Sequence, residues 1–157
     1  MKLYAPLISL CLLGPISVAN AEPVFCPSLS SASQIAPCPT EEELAYTFKG
    51  YCSDNSRMYD RGADVCTDYK RYREFKNIAL WETRDGKFDG YVSCTLDPEV
   101  VKTAKLREVK ISKQGSVSRV ACDYSNGIIF THRTKAKCTL DEAKCAADPV
   151  ACTAMCD

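Results

Sequence analysis

Residues 106–133 read LREVKISKQGSVSRVACDYSNGIIFTHR. Apolar and polar residues alternate here, and two dipeptides, Gln114-Gly115 and Asn126-Gly127, punctuate the alternation. Strict alternation is the signature of a half-buried strand, because successive side chains point to opposite faces of a sheet. Asn-Gly suits a two-residue hairpin loop because both its residues tolerate the positive φ that such a turn demands. A turn at Gln114-Gly115 sets Val109 opposite Val120. A turn at Asn126-Gly127 sets Tyr124 opposite Ile129 and Cys122 opposite Thr131. In these registers Val109, Ile111, Val120, Cys122, Tyr124 and Ile129 share one face. Two hairpins that agree on a common apolar face specify an antiparallel sheet.

The same pattern extends upstream. In KNIALWETRDGKFDGYVSCTL, Asp85-Gly86 lies between apolar and β-branched residues and predicts a further hairpin. Arg84 then faces Lys87, Thr83 faces Phe88 and Trp81 faces Gly90. Ala79, Trp81, Phe88, Val92 and Cys94 point inward, and the glycine leaves room for the indole. The intervening LDPEVVKTAK reads as a short connection. About five strands are expected in all.

Helix signals flank the strands. Thr40 with Glu43 forms a capping box, and Glu41, Glu42 and Glu43 favour the positive end of the helix dipole. A helix over 41–49 should bury Leu44 and Phe48 and stop at Gly50. YCSDNSRMYDRGADVC reads as loop. Val65, Tyr69 and Tyr72 are helically spaced, which predicts a helix over 64–73. Thr139 with Glu142, and Asp148 before Pro149, predict two helices in the tail, over 140–147 and 149–156. The fold class is therefore α+β: a small antiparallel sheet flanked by short helices.

The first 21 residues have the three-part pattern of a secretory leader: Lys2, the apolar run Leu7–Leu13 and the small-x-small signal Ala19-Asn20-Ala21. The run is too short for a bilayer span, which takes about 20 apolar residues. Leu10 before Cys11 is wrong for a lipoprotein acceptor. Cleavage after Ala21 leaves one domain, 22–157, with no further hydrophobic segment and so no stable membrane insertion. Its first part, 22–39, reads as an irregular Ser/Pro-rich arm, and 138–157 as a Cys-rich helical tail. The full chain holds 20 basic and 20 acidic residues, and loss of Lys2 leaves it close to neutral. No global field draws it to nucleic acid or anionic lipid.

Of 11 cysteines, cleavage removes Cys11 and leaves Cys26, Cys38, Cys52, Cys66, Cys94, Cys122, Cys138, Cys145, Cys152 and Cys156. An even number in an exported chain reads as disulfides, with connectivity open. Cys26 and Cys38 tie down the arm, either to each other or to the body. Residues seven apart on one helix lie about 10.5 Å apart along its axis. Cys138 and Cys145 therefore cannot bridge within one helix, and partners lie across the helix break or in the Cys26–Cys122 set. Zinc is disfavoured, since the tail spacings lack any C-x-x-C and an oxidising compartment removes free thiolates. No cofactor or metal is expected.

Two further clusters bear on chemistry. Asp123 and His132 fall on one face in the register above and could orient a general base. No serine or free cysteine sits in a recognisable nucleophile elbow, however. YKRYREFK interleaves aromatic and basic residues, which can stack bases. It reads instead as a helix with one buried aromatic stripe and a solvated basic face. If it acts, Tyr69, Arg71, Tyr72 and Arg73 form a protein-interaction surface, since Tyr and Arg anchor interfaces.

The Ser/Pro arm, capped helix, Trp81 strand, inward Cys94 and the Cys122-Asp123-Tyr124 triplet together resemble small exported proteins of intracellular bacterial pathogens. More narrowly, the chain is similar to the EirA-like periplasmic proteins associated with type IV secretion. The resemblance implies a non-enzymatic accessory factor contacting the envelope secretion machinery, in the periplasm or secreted. Two alternatives stand beside it. One is a secreted inhibitor of a lysozyme or protease, inserting a loop at Asp85-Gly86, Gln114-Gly115 or Asn126-Gly127. The other is a hydrolase using Asp123 and His132.

Overall fold

The computed structural model describes residues 21–59 and 63–157. The leader expected over 1–21, Cys11 included, lies outside the described residues but for Ala21. The first half holds β1 (Glu22–Phe25), β2 (Ser33–Gln34), α1 (Glu41–Tyr51), α2 (Asn55–Tyr59), α3 (Ala63–Thr67), α4 (Tyr69–Lys76), β3 (Ile78–Glu82) and β4 (Asp89–Ser93). Then come α5 (Pro98–Lys102), β5 (Leu106–Gln114), β6 (Val117–Tyr124), β7 (Ile129–Thr134), β8 (Cys138–Leu140), α6 (Glu142–Ala147) and β9 (Thr153–Cys156). The class is α+β as expected, but the described strands number nine rather than five. They form an antiparallel six-stranded sheet, β2-β3-β4-β7-β6-β5, and a three-stranded sheet, β1-β9-β8.

The added strands come from segments with no alternation to read. The arm is not irregular: β1 pairs with β9 and β2 with β3, while Leu29 and Ala32 enter the core. In the tail, α6 forms but the second helix does not. Its N-cap is Asp141, whose carboxylate accepts from the Lys144 amide, so the Thr139 capping box is absent. Asp148 accepts from Val150 N–H at 2.9 Å and closes a local turn instead of capping a helix. The chain then returns as β9 between β1 and β8. A helix over 149–156 would leave β1 without a partner strand.

The three hairpins fare differently, and turn length explains why. At Asp85-Gly86 the expected register holds: Trp81 faces Gly90, and Thr83 N–H donates to the Phe88 carbonyl. In the β5–β6 hairpin the loop is Gly115-Ser116, one residue later than expected, because Gly115 takes the positive φ (60°) at the loop's first position. Val109 therefore faces Cys122, and Ile111 faces Val120. A shift of two in pairing preserves both faces, so the inward set survives. In the β6–β7 hairpin the loop takes in Ser125, Asn126 and Gly127, and both Asn126 and Gly127 have positive φ. Cys122 now faces Phe130 and Asp123 faces Ile129, a shift of one that exchanges every side chain of β7 between faces. Phe130 is fully buried, whereas Ile129, expected inside, is 40% exposed.

The larger core gathers Trp81, Phe88, Val92, Tyr124, Ile128 and Phe130 on the inner face of the six-stranded sheet. The expected connection at 96–105 contributes α5, capped by Asp97 with Pro98 in its first turn, and buries Val101 there. A second cluster, with Val109, Val120 and Ala154, joins the small sheet to the far end of the large one. Gly90 lies where β4 meets β7. A Cβ there would run into the Ile129 carbonyl oxygen and crowd the Phe130 ring. Close backbone approach, as well as indole packing, calls for glycine at this strand position.

All ten cysteines of the described residues pair: Cys26–Cys122, Cys38–Cys94, Cys52–Cys66, Cys138–Cys156 and Cys145–Cys152. Both arm cysteines reach the body, and Cys145 bridges across the break after α6. Five disulfides are characteristic of an oxidising compartment. Among the described residues, no helix is long and apolar enough to cross a membrane.

Candidate functional site

The basic-aromatic stretch is the first place to look, and the fold uses most of it internally. The expected helix over 64–73 is broken at Asp68, whose carboxylate caps α4 by accepting from Lys70 N–H. α4 then packs on α1, which runs through Gly50 to Tyr51 rather than stopping at the glycine. Leu44 is buried as expected, but Phe48 only in part. Its ring lies edge-on to both Tyr69 and Tyr72, with centroids 5.3 and 5.1 Å away. Tyr72 is only 1% exposed, so it is core and not an anchor for a partner. The Tyr69 hydroxyl donates to Glu41 Oε1 at 2.9 Å, and Arg73 Nε donates to Glu41 Oε2 at 2.8 Å. These bonds hold the Glu41 carboxyl below its usual range, Arg73 contributing most, and raise the Arg73 guanidinium. Arg71 is exposed, within 3.4 Å of Asp64 and 3.8 Å of Asp68. Of the sequence-derived surface, Arg71 is exposed but paired with acids of its own segment, while Tyr69 and Arg73 staple α4 to α1. The stretch read as loop before it, 51–66, holds α2 and most of α3.

The Asp123–His132 pair does not assemble. With Cys122 facing Phe130, His132 shares the inner face with Val120, while Asp123 points outward beside Ile129. The His132 Nδ1 lies 2.9 Å from the Lys87 carbonyl, which can only accept, so Nδ1 carries the proton. The imidazole packs against Phe88, ring centroids 5.5 Å apart. Among the described residues, no group of three or more His, Cys, Asp or Glu is placed to hold a metal. The three loop candidates also separate. Those at Gly86 and Gly115 project from one end of the six-stranded sheet, and that at Gly127 from the other.

What the sequence did not flag is the outer face of that sheet. Ile35 N–H donates to the Leu80 carbonyl, Leu80 faces Tyr91, and the Asp89–Thr131 pairing continued by two residues sets Tyr91 level with Ile129. Four apolar side chains thus form one row across β2, β3, β4 and β7. Ile35 is 54% exposed and Tyr91 63%, and Leu80 is half-buried. Solvated sheet faces ordinarily carry polar residues. The neighbouring row does: Asp89 accepts from Arg133 at 2.7 Å, beside Glu82 and Thr131. An apolar band with a charged border is the composition of a docking surface. The signal was present in IALWE, which is apolar on both faces, but Ile129 joined the row only through the one-residue change of register.

A cleft of about 740 Å³ forms a second candidate. It lies between the Pro37–Pro39 segment and α1, with Tyr72 and Ile78 among its lining residues. Arg57 and Lys76 stand at its rim, both over the ring of Tyr51, at 4.2 and 5.0 Å from the centroid.

No protein-family model, curated protein or solved structure matches this chain. The functional reading therefore rests on these surfaces.

Proposed function

We propose that this chain is a non-enzymatic binding protein of the periplasm or of the secreted fraction, docking a protein partner on the outer face of its six-stranded sheet. The observation that carries the reading is the row Ile35, Leu80, Tyr91 and Ile129, which lies open on a sheet whose other face carries the larger core. Two disulfides from the arm, Cys26–Cys122 and Cys38–Cys94, brace that sheet, so its shape is set before a partner arrives and little ordering entropy is lost on docking. The similarity to EirA-like proteins supplies the partner class, an envelope secretion machine.

Photo-crosslinking from position 91 in intact envelopes tests this. A secretion-machine subunit should be captured from Tyr91 but not from exposed Lys113 at the sheet's far edge, and Ile129→Lys should abolish capture. Secretion unchanged by deletion of the chain, together with no capture from position 91, would overturn it.

A further inference from the structure

Gly50 has no structural reason to be glycine. It lies in the last turn of α1, outside the set of positive-φ glycines, and a Cβ built on it meets nothing within 4 Å. A helical glycine costs about 0.5–1 kcal/mol relative to alanine. Neither backbone conformation nor packing inside the protein offsets that loss. Gly50 does line the cleft between α1 and the Pro37–Pro39 segment, where a missing side chain keeps one wall flat and lets a ligand approach the helix backbone.

The charges of the cleft indicate what approaches. Glu43, its acidic member, is occupied: its carboxylate accepts from Thr40 N–H at 2.7 Å and from the Thr40 hydroxyl at 3.1 Å. The two cations are less engaged. Arg57 reaches Asp54 only at 3.9 Å and donates to the Tyr51 carbonyl at 3.3 Å, and no ion pair among the described residues includes Lys76. Both instead stack on Tyr51, and Lys76 also on Phe75 at 4.7 Å. Aromatic and aliphatic walls with cations at one rim complement an apolar group that carries an anion.

We propose that this cleft binds an extended peptide segment of a partner protein, in which an apolar side chain is followed by a carboxylate side chain. The apolar side chain lies against Pro37, Pro39 and Ile78, the accessible apolar residues of the lining, the peptide backbone passes over Gly50, and the carboxylate meets Arg57 and Lys76. The cleft is open to solvent along its side and, at about 740 Å³, is larger than one side chain needs, which suits a chain passing through. The cleft borders the outer sheet face, since Ile78 lies on the same side of β3 as Leu80, but it shares none of the four residues of the apolar row, and either can fail without the other.

The test is titration of the oxidised protein with an array of labelled tetrapeptides, apolar residues followed by Asp or Glu, against a matched array with Asn or Gln. Heteronuclear NMR reports the site. Acidic peptides should bind at least about tenfold more tightly than their amides and shift the Gly50 and Tyr51 resonances. In Arg57→Gln/Lys76→Gln that ratio should fall to about one. Gly50→Ala should raise the melting temperature yet weaken binding about tenfold, a combination that loss of fold cannot produce. Tyr91→Lys should leave peptide binding unchanged. The proposal is overturned if no acidic peptide binds, if acids and amides bind equally, or if Gly50→Ala binds like the wild type. Phenylpropionate binding as tightly as the best peptide would assign the cleft to small acids and also overturn it.

Discussion

Replacing Phe130 and Ile129 by alanine, one at a time, tests the register on which both faces of the large sheet depend. Phe130 is wholly buried, lies edge-on to Tyr124 with centroids 6.3 Å apart, and crowds Gly90. Truncating such a ring removes its transfer energy and leaves a cavity between rigid strands, a loss of about 3–5 kcal/mol. Ile129 points the other way and is 40% exposed, so truncation removes only part of the about 1.5–3 kcal/mol of a full burial, close to 1 kcal/mol. Urea unfolding with the disulfides intact measures both, each read as a change in midpoint at constant slope. Phe130→Ala should be at least about 2 kcal/mol the worse. If Ile129→Ala is equally or more destabilising, then the one-residue register shift is wrong, and the exposed apolar row loses Ile129 with it.

Other expectations follow from the same geometry. Gly90→Ala should destabilise by about 1–3 kcal/mol in the same assay, since its methyl group must displace backbone and not a flexible side chain. Removing Cys26–Cys122, whose cysteines are 96 residues apart, should cost about 4–5 kcal/mol; removing Cys145–Cys152, 7 apart, about 2.5 kcal/mol. Double serine variants compared by unfolding midpoint, and non-reducing peptide mapping, check the ranking and the pairing. Glu41 has a lowered pKa in the fold, so its contribution to α1–α4 docking is complete above the unfolded carboxylate pKa and is lost as pH falls through the lower folded value. Tyrosine near-UV circular dichroism should report that loss on acidification, and Glu41→Gln should remove the pH dependence.

The hairpins were legible to the extent that their loops declared their length. Asp85-Gly86 gave its register outright. Gly115 marked a turn but not which of two adjacent positions centred it, and the error was harmless because pairing moves in steps of two when the loop slides. Asn126-Gly127 was misleading because Ser125 joined the loop, bonded to Lys105 across the sheet. Nothing local in the sequence announces such a long-range bond. The tail failed for a related reason. Its two expected caps did not act as such, Asp141 capping α6 in place of Thr139 and Asp148 closing a turn, and residues 153–156 became a strand because β1 and β8 present edges that only a strand can satisfy. Of the aromatic stripe expected to be buried in the basic-aromatic helix, Tyr72 is core, Tyr69 is half-buried and Phe75 is 49% exposed. That Glu41 would engage two of the helix's residues was not visible, because the contact spans 28 and 32 positions.

The pairing of β1 with β9 has a consequence for how the polypeptide reaches this shape. Glu22 meets Cys156, so β1 has no partner strand until residues 153–156 are in place. Strands β3 to β7 can pair among themselves earlier, leaving Val24 and Cys26 outside a half-built molecule. During that interval Cys26 can form only bonds that must later be undone, unless it closes at once on Cys122. The pairing of residues 22–25 with 153–156 spans the longest sequence separation of any strand pair here, so its closure is expected to come late.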